Sequence, residues 1–345
     1  MPGSPAIPRP RRKTRRGEYA TEGKTTPGRN RFLRPAGDRL SDTRAVWPNG
    51  KTPTGLGRLR ATDGAGPATF ISATIPVVFT LPPRTHPDAW FVAVAAALLN
   101  RAELVADGVP LRVAEVEFYR HDAEHPDPFA HADPVQRDWG RWYFHRVGGS
   151  FRGGSFKGLD LTLGDGTATV GVLLRSVVTP DGELIDGPSR LVDRLLKLTD
   201  TPTVAALDAK LPGAAALAAG TPVHFRDATD RGAEVLATAR VGLSLKRAAA
   251  FEEMPRYVGR RYRFLTEPRR IGPGRPQLVA ALHAGGASAA EIRARTGIAA
   301  GVVGRYAAAF DEGKAEHDFG RYIGAELTAL DRCRLLGTWA AVFGD

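Results

Sequence analysis

The chain has 345 residues, 43% of them hydrophobic, which allows a sizeable core and excludes wholesale disorder. Its formal charge of +11 is concentrated in one arm: residues 1–62 hold 15 Lys/Arg against 4 Asp/Glu, and the rest of the chain is neutral. The single cysteine, Cys333, excludes an internal disulfide and a cysteine-based zinc site. No apolar run reaches the ~18 residues of a membrane span, and no apolar stretch follows the first basic residues as in a secretory signal. The expectation is a cytoplasmic, nucleoid-associated protein without a membrane partner.

Residues 1–66, rich in Pro, Gly, Arg and Thr, show no periodicity and read as a disordered basic arm. Such an arm condenses on polyanions, nucleic acid foremost; a solubilising tail is the alternative. Residues 68–81 are β-branched and apolar, hence extended. Pro87 and Asp88 mark a helix start, with the helix running over 89–100. The strands 102–106 and 111–120 flank Asp107-Gly108, a hairpin signal. Further strands are expected at 142–146, 159–163, 169–178 and 236–243, and helices at 188–198 and 204–217, the latter interrupted at Pro212-Gly213. Hairpin-linked strands give an α+β domain over 67–265 with a largely antiparallel sheet. The run EPRRIGPGRP makes 266–276 a Pro/Gly linker. Residues 277–345 read as a small all-α domain resembling a helix-turn-helix, with Ser288 as cap and Thr296-Gly297-Ile298 as turn. Its second helix starts Ala299-Ala300-Gly301-Val302, with little that bonds base edges.

The strand 111–120 carries the chemistry. Strict alternation sets Arg112, Ala114, Val116 and Phe118 on one face and Val113, Glu115, Glu117 and Tyr119 on the other. That second face is either a solvent-facing surface or a site with two carboxylates and a phenol. Residues 121–133 hold His121, His125 and His131 with Asp122, Asp127 and Asp133, in spacings that match no zinc-ligand pattern. No phosphate-binding or dinucleotide glycine motif is present, and no cofactor is implied. The segment 141–160 interleaves aromatics and glycines with Arg141, Arg146, Arg152 and Lys157, which suits a phosphate-facing ribbon or an ordinary two-stranded one.

In chain order stand Glu115-Val116-Glu117-Phe118-Tyr119, then Asp127-Pro128-Phe129-Ala130-His131, then Val172-Leu173-Leu174-Arg175-Ser176 before Pro180. Gly187-Pro188-Ser189-Arg190-Leu191, Ala239-Arg240-Val241-Gly242 and Pro255-Arg256-Tyr257 follow. Over about 175 residues this series resembles the alkyladenine (3-methyladenine) DNA glycosylase family. The resemblance implies a curved, largely antiparallel sheet with surrounding helices. It also implies double-stranded DNA as partner, and excision of a modified or damaged base flipped into a pocket. By it, Glu117 is the carboxylate that activates water and Arg175 steadies it. Tyr119 and His131 wall the base and Asp160 lies on the pocket floor.

The chain departs from the family in three places. Residues 134–140 read PVQRDWG where the family has a Thr-x-Arg-Asn-like run. The family's intercalating tyrosine has no match, and Phe151 or Arg152 is the nearest candidate. Asp160 replaces an asparagine, and an ionised carboxylate only accepts hydrogen bonds, so the substrate is not inherited. The expected function is a monofunctional DNA N-glycosylase. The alternatives are a catalytically silent nucleic-acid-binding protein on the same scaffold, or an N-glycosidase acting on RNA or a nucleoside.

Overall fold

The computed structural model describes residues 79–213 and 215–344; the basic arm and most of the segment 68–81 lie outside them. The first helix, α1 (Pro87–Asn100), has Pro at its start and Asp88 in its first turn, where a missing N–H and a negative charge both suit a helix N-terminus. Its apolar residues Phe91, Val94, Leu98 and Leu99 are wholly buried. Next come β1 (Ala102–Ala106) and β2 (Val109–His121), the expected hairpin. Asp107 and Gly108 both have positive φ, 47° and 81°, which is the two-residue turn that suits twisted strands and explains the Asp-Gly pair.

The chain continues through β3 (Trp139–Phe144), the short ribbon β4 (Arg146–Val147) and β5 (Ser150–Phe151), then β6 (Leu159–Leu163), β7 (Thr169–Val178) and β8 (Leu184–Asp186). After α2 (Pro188–Leu198) and α3 (Val204–Ala209) come β9 (Val223–Asp227), β10 (Leu236–Thr238), α4 (Met254–Val258) and β11 (Arg263–Leu265). All but β4 and β5 join one curled antiparallel sheet in the order β10-β11-β2-β7-β6-β3, with β1 and β9 extending from β2 and β8 from β7. The fold is α+β. Several short strands, β8, β9 and β11 among them, carry no alternation long enough to read in sequence. The strand expected over 236–243 stops at Thr238. Residues 239–240 are irregular and 241–242 form a turn, with Gly242 at φ 84°.

The sheet has an apolar and a polar face. Val116 and Phe118 of β2, Val172 and Leu174 of β7, Leu161 of β6, and Trp142 and Phe144 of β3 join α1 in the main core. Val113 belongs with them, contrary to the strict alternation expected. The cause is a pair of bulges. Val113 pairs with Val177 and Val116 with Leu174, and between these pairs Glu115 faces Ser176 while Ala114 and Arg175 are extra residues. Each strand therefore advances three residues from one core position to the next instead of two.

Beyond β11, Thr266 N–H donates to the Ala114 carbonyl, Ile271 is buried and Gly272 N–H donates to Asp186. The Pro/Gly run is thus bound along the sheet edge. The helices α5 (Arg275–Ala284), α6 (Ala289–Thr296), α7 (Ala300–Lys314) and α8 (Ala329–Phe343) follow. Ser288 and Glu291 form a reciprocal cap on α6, and Gly297 ends it in the left-handed region at φ 69°. A Cβ added at Gly313 of α7 would lie 1.9 Å from the Arg334 carbonyl oxygen, and one at Gly337 of α8 lies as close to that of Phe310. The two helices pack backbone on backbone, which only glycine permits. Trp339 of α8 donates to the Arg256 carbonyl, 3.0 Å away, and covers Gly259. The sheet and these helices belong to one compact unit. Among the described residues no helix is long and apolar enough to cross a membrane.

Candidate active site

Cross-strand pairing carries one row of residues over the polar face: Arg263 of β11 pairs with Glu117, Glu117 with Leu173, Leu173 with Asp160 and Asp160 with Tyr143. Directly paired residues share a face, and strands lie about 4.8 Å apart, so Glu117 and Asp160 are separated by about 10 Å across the sheet. The bulge on β7 adds both Arg175 and Ser176 to the same face.

Glu117 has no exposed surface. Its Oε1 accepts from the Val241 N–H at 2.7 Å, and its Oε2 accepts from the Tyr119 hydroxyl at 2.9 Å and from Arg175 Nη1 at 3.1 Å. Tyr119 and Val241 are half-buried, which sets the carboxylate one residue below the surface. Burial, then the charge of Glu117, raises the Tyr119 phenol far above its ordinary value, so it stays a donor.

Glu115 is as fully buried and binds two cations to Glu117's one. Its Oε1 accepts from Arg175 Nε at 2.9 Å and from Arg263 Nε at 2.5 Å, and its Oε2 from Ser176 Oγ at 2.6 Å. Burial alone would raise its pKa, but Arg263 and Arg175 outweigh that and hold it below the usual carboxylate value. Arg263 also donates to the Pro273 carbonyl, and a Cβ on Gly274 would lie 2.4 Å from Arg263 Nη1. The glycine there admits the guanidinium.

A second ion pair lies behind Tyr119. Arg240 and Asp127 meet at 2.6 Å with neither side chain exposed. The guanidinium also donates to the carbonyls of Phe118 and Tyr257 and stands 4.5 Å from the centre of the Tyr119 ring. Arg240 thereby holds the Asp127 loop, β2 and the start of the Val241 turn together.

At the far end of the row, Asp160 is filled by its own neighbours. Its Oδ2 accepts from Gln136 Nε2 and its Oδ1 pairs with His145 Nε2, each at 2.8 Å. Gly171 makes room for this, since a Cβ there would lie 2.4 Å from Gln136 and 2.6 Å from Asp160. His131 lies tilted against His145 with ring centroids 4.3 Å apart, and 3.3 Å from the Tyr143 hydroxyl. Of the expected site residues, Glu117, Arg175 and Tyr119 meet directly. Asp160 and His131 form a separate cluster through His145.

Sequence reasoning gave no role to Arg240, Asp127, Arg263, Gln136 or His145. Asp127 and Arg240 were visible as parts of the loop and of the Ala-Arg-Val-Gly motif. Arg263 of β11 pairs with Glu117 while its neighbour Phe264 belongs to the core; Arg256 stands exposed on α4, beside Glu253. The three clustered histidines part company: His121 approaches the Asp127 carbonyl, His125 packs between Tyr257 and Tyr262, and His131 joins His145. Among the described residues no group of three or more His, Cys, Asp or Glu is placed to hold a metal.

Burial holds His125 down at about 4, and its Nε2 is enclosed without a partner. His131 is exposed at its rim, yet the protein packed round the ring, then His145, keeps it at about 4 as well. The unfolded chain protonates both near 6.5. Their contribution to stability is therefore complete above pH 6.5 and is lost as pH falls from there through 4. Thermal melts should show that decline, and His125→Phe should flatten it; an unchanged slope in the variant removes His125 from the account.

No family model matches the chain. An uncharacterized protein, L759, of Acanthamoeba polyphaga mimivirus is 37% identical over 125 residues, which cover 32% of this chain and 58% of the viral protein. The chain thus spans just over half the length of that relative.

Proposed function

We propose that the protein is a monofunctional N-glycosylase that excises a modified base from double-stranded DNA. The observation that supports this best is Glu117, a carboxylate held by Val241 N–H, Tyr119 and Arg175 just below the surface of a polar sheet face. In this reading Glu117 takes a proton from a water as the water oxygen bonds to the anomeric carbon. The electron pair of the N-glycosyl bond leaves with the base, which gains its proton from solvent. The negative charge also favours the oxocarbenium-like transition state, and the fixed partners spare the carboxylate any reorganisation. The resemblance of the sequence motifs, in their order along the chain, supports the same reading, although fold does not fix function.

One observation favours a second reading, a silent nucleic-acid binder. Both Glu117 oxygens are already engaged and none of its surface is exposed, as in a structural strut. One assay separates the two. Purified protein is incubated with duplexes carrying hypoxanthine, ethenoadenine or methylated purines, and abasic sites are cleaved with alkali. Strand scission on any of them supports the enzyme; binding without scission on all of them supports the binder.

A further inference from the structure

Between residues 141 and 158 the chain has four basic residues and no acidic one. The structure separates these cations. Arg141 pairs with Asp138 at 2.7 Å, Arg146 with Asp208 at 3.0 Å and Lys157 with Asp193 at 2.7 Å. Arg146 also lies 4.3 Å from the centre of the Phe151 ring, and Phe151 packs inward against Phe144. Arg152 differs: its guanidinium makes no ion pair or hydrogen bond among the described residues, and its Nε, like that of Arg146, is enclosed without a partner. Its backbone N–H, bonded to the His145 carbonyl at 2.9 Å, anchors it beside the His131–His145 ring pair.

The apolar residues separate in the same way. Phe156 and Val147, at 71% and 65%, are the two most exposed large hydrophobics among the described residues, and both fall in this acid-free run. Phe156 ends a 3-10 turn, Gly154–Phe156, tied to α2 by Ser189 Oγ donating to the Gly154 carbonyl at 2.7 Å. The ring is held out in solvent from a fixed turn. A lone exposed hydrophobic is ordinary, but an exposed ring close in sequence to an unpaired cation matches one kind of partner, a polyanion that also offers stacked aromatic faces.

We propose that Arg152 and Phe156 form the grip on a nucleic-acid duplex, the cation on a phosphate and the ring against the base stack. The inference rests on the glycosylase reading for the partner's being DNA. It moves the wedge from Phe151 to Phe156 and leaves Arg141, Arg146 and Lys157 as internally neutralised. Apolar side chains that enter base steps unstack them and bend the duplex, and stacking on one base is worth enough to change affinity about 5- to 100-fold. The gripping segment begins at His145, which is bonded to Asp160 in the row that contains Glu117. A nucleotide drawn from the duplex at this edge would be delivered to that row.

The test uses the full chain and a labelled short duplex followed by fluorescence anisotropy. Salt is raised until the basic arm no longer masks differences. Phe156→Ala should weaken binding about 5- to 100-fold and abolish the rise of a 2-aminopurine signal that reports unstacking, while Phe156→Tyr retains both. Arg152→Ala should lower the log–log salt slope by about one. Arg141→Ala, whose charge Asp138 already neutralises, should leave affinity and slope unchanged. Equal affinity in parent, Phe156→Ala and Arg152→Ala overturns the grip, as does a parent that fails to bind the duplex. If the parent excises a base while both variants bind normally, the glycosylase reading survives without the grip. If the variants bind weakly and no lesion is excised, the grip survives and the enzyme reading falls.

Discussion

Glu117→Gln is expected to bind duplex DNA within a few-fold of the parent and to lose about 10²-fold or more in single-turnover excision, the scale of a removed general base. The amide keeps the shape that Val241 N–H, Tyr119 and Arg175 surround, but it cannot take a proton from water. Glu115 is the obvious rival, two residues away on the same face. Its partners are Arg175, Arg263 and Ser176, all buried, so it carries structural charge. Glu115→Gln should therefore show the opposite profile. A large stability loss is expected, because two buried guanidiniums share the lost charge, with a smaller fall in excision for whatever fraction remains folded. Single-turnover rates and denaturant midpoints of the two variants decide the matter. If Glu117→Gln excises as fast as the parent, the likeness to glycosylases is one of fold, and the silent binder replaces the enzyme.

Asp127→Asn should destabilise the protein by about 3–5 kcal/mol, the cost of leaving one member of a buried ion pair alone. Arg240 cannot reach solvent, since its side chain is wholly enclosed among Tyr119, Phe129 and Tyr262. Burial works against its charge, and Asp127 restores it. Arg240→Met combined with Asp127→Asn leaves no buried charge at the site and should lose less than the sum of the two single changes. Urea unfolding of the three variants gives that coupling. A loss under 1 kcal/mol for Asp127→Asn would mean that water reaches the guanidinium in solution.

Much of this was legible beforehand. The period-2 pattern of 111–120 exposed two carboxylates on one strand, Asp107-Gly108 gave the hairpin, and the largely apolar run 169–178 gave the central strand. What stayed hidden has specific causes. Local pattern cannot show a bulge, so Val113 was placed on the wrong face. β11 is three residues long, too short for any periodicity, and Arg263 went unnoticed beside Glu117. His145 and Gln136 gain their meaning from Asp160, which lies 15 and 24 residues farther on. Four basic residues look alike in a string of letters. Only the aspartates that fold back on Arg141, Arg146 and Lys157 tell them apart from Arg152.

The paired bulges at Ala114 and Arg175 have a genetic consequence. The extra residue in β2 is matched by one in β7, so the ladder is back in step at Val116 and Leu174. Losing a single codon from either strand alone would turn one strand over relative to the other, sending carboxylates into the core or core residues outward. Restoring the pleat then requires a second deletion some sixty positions away in the other strand. Lineages carrying this sheet can cross between bulged and regular forms only through an intermediate that folds poorly. Insertions and deletions should therefore accumulate in the glycine-rich turns near residues 148–154 and be nearly absent between 109 and 121 and between 169 and 178.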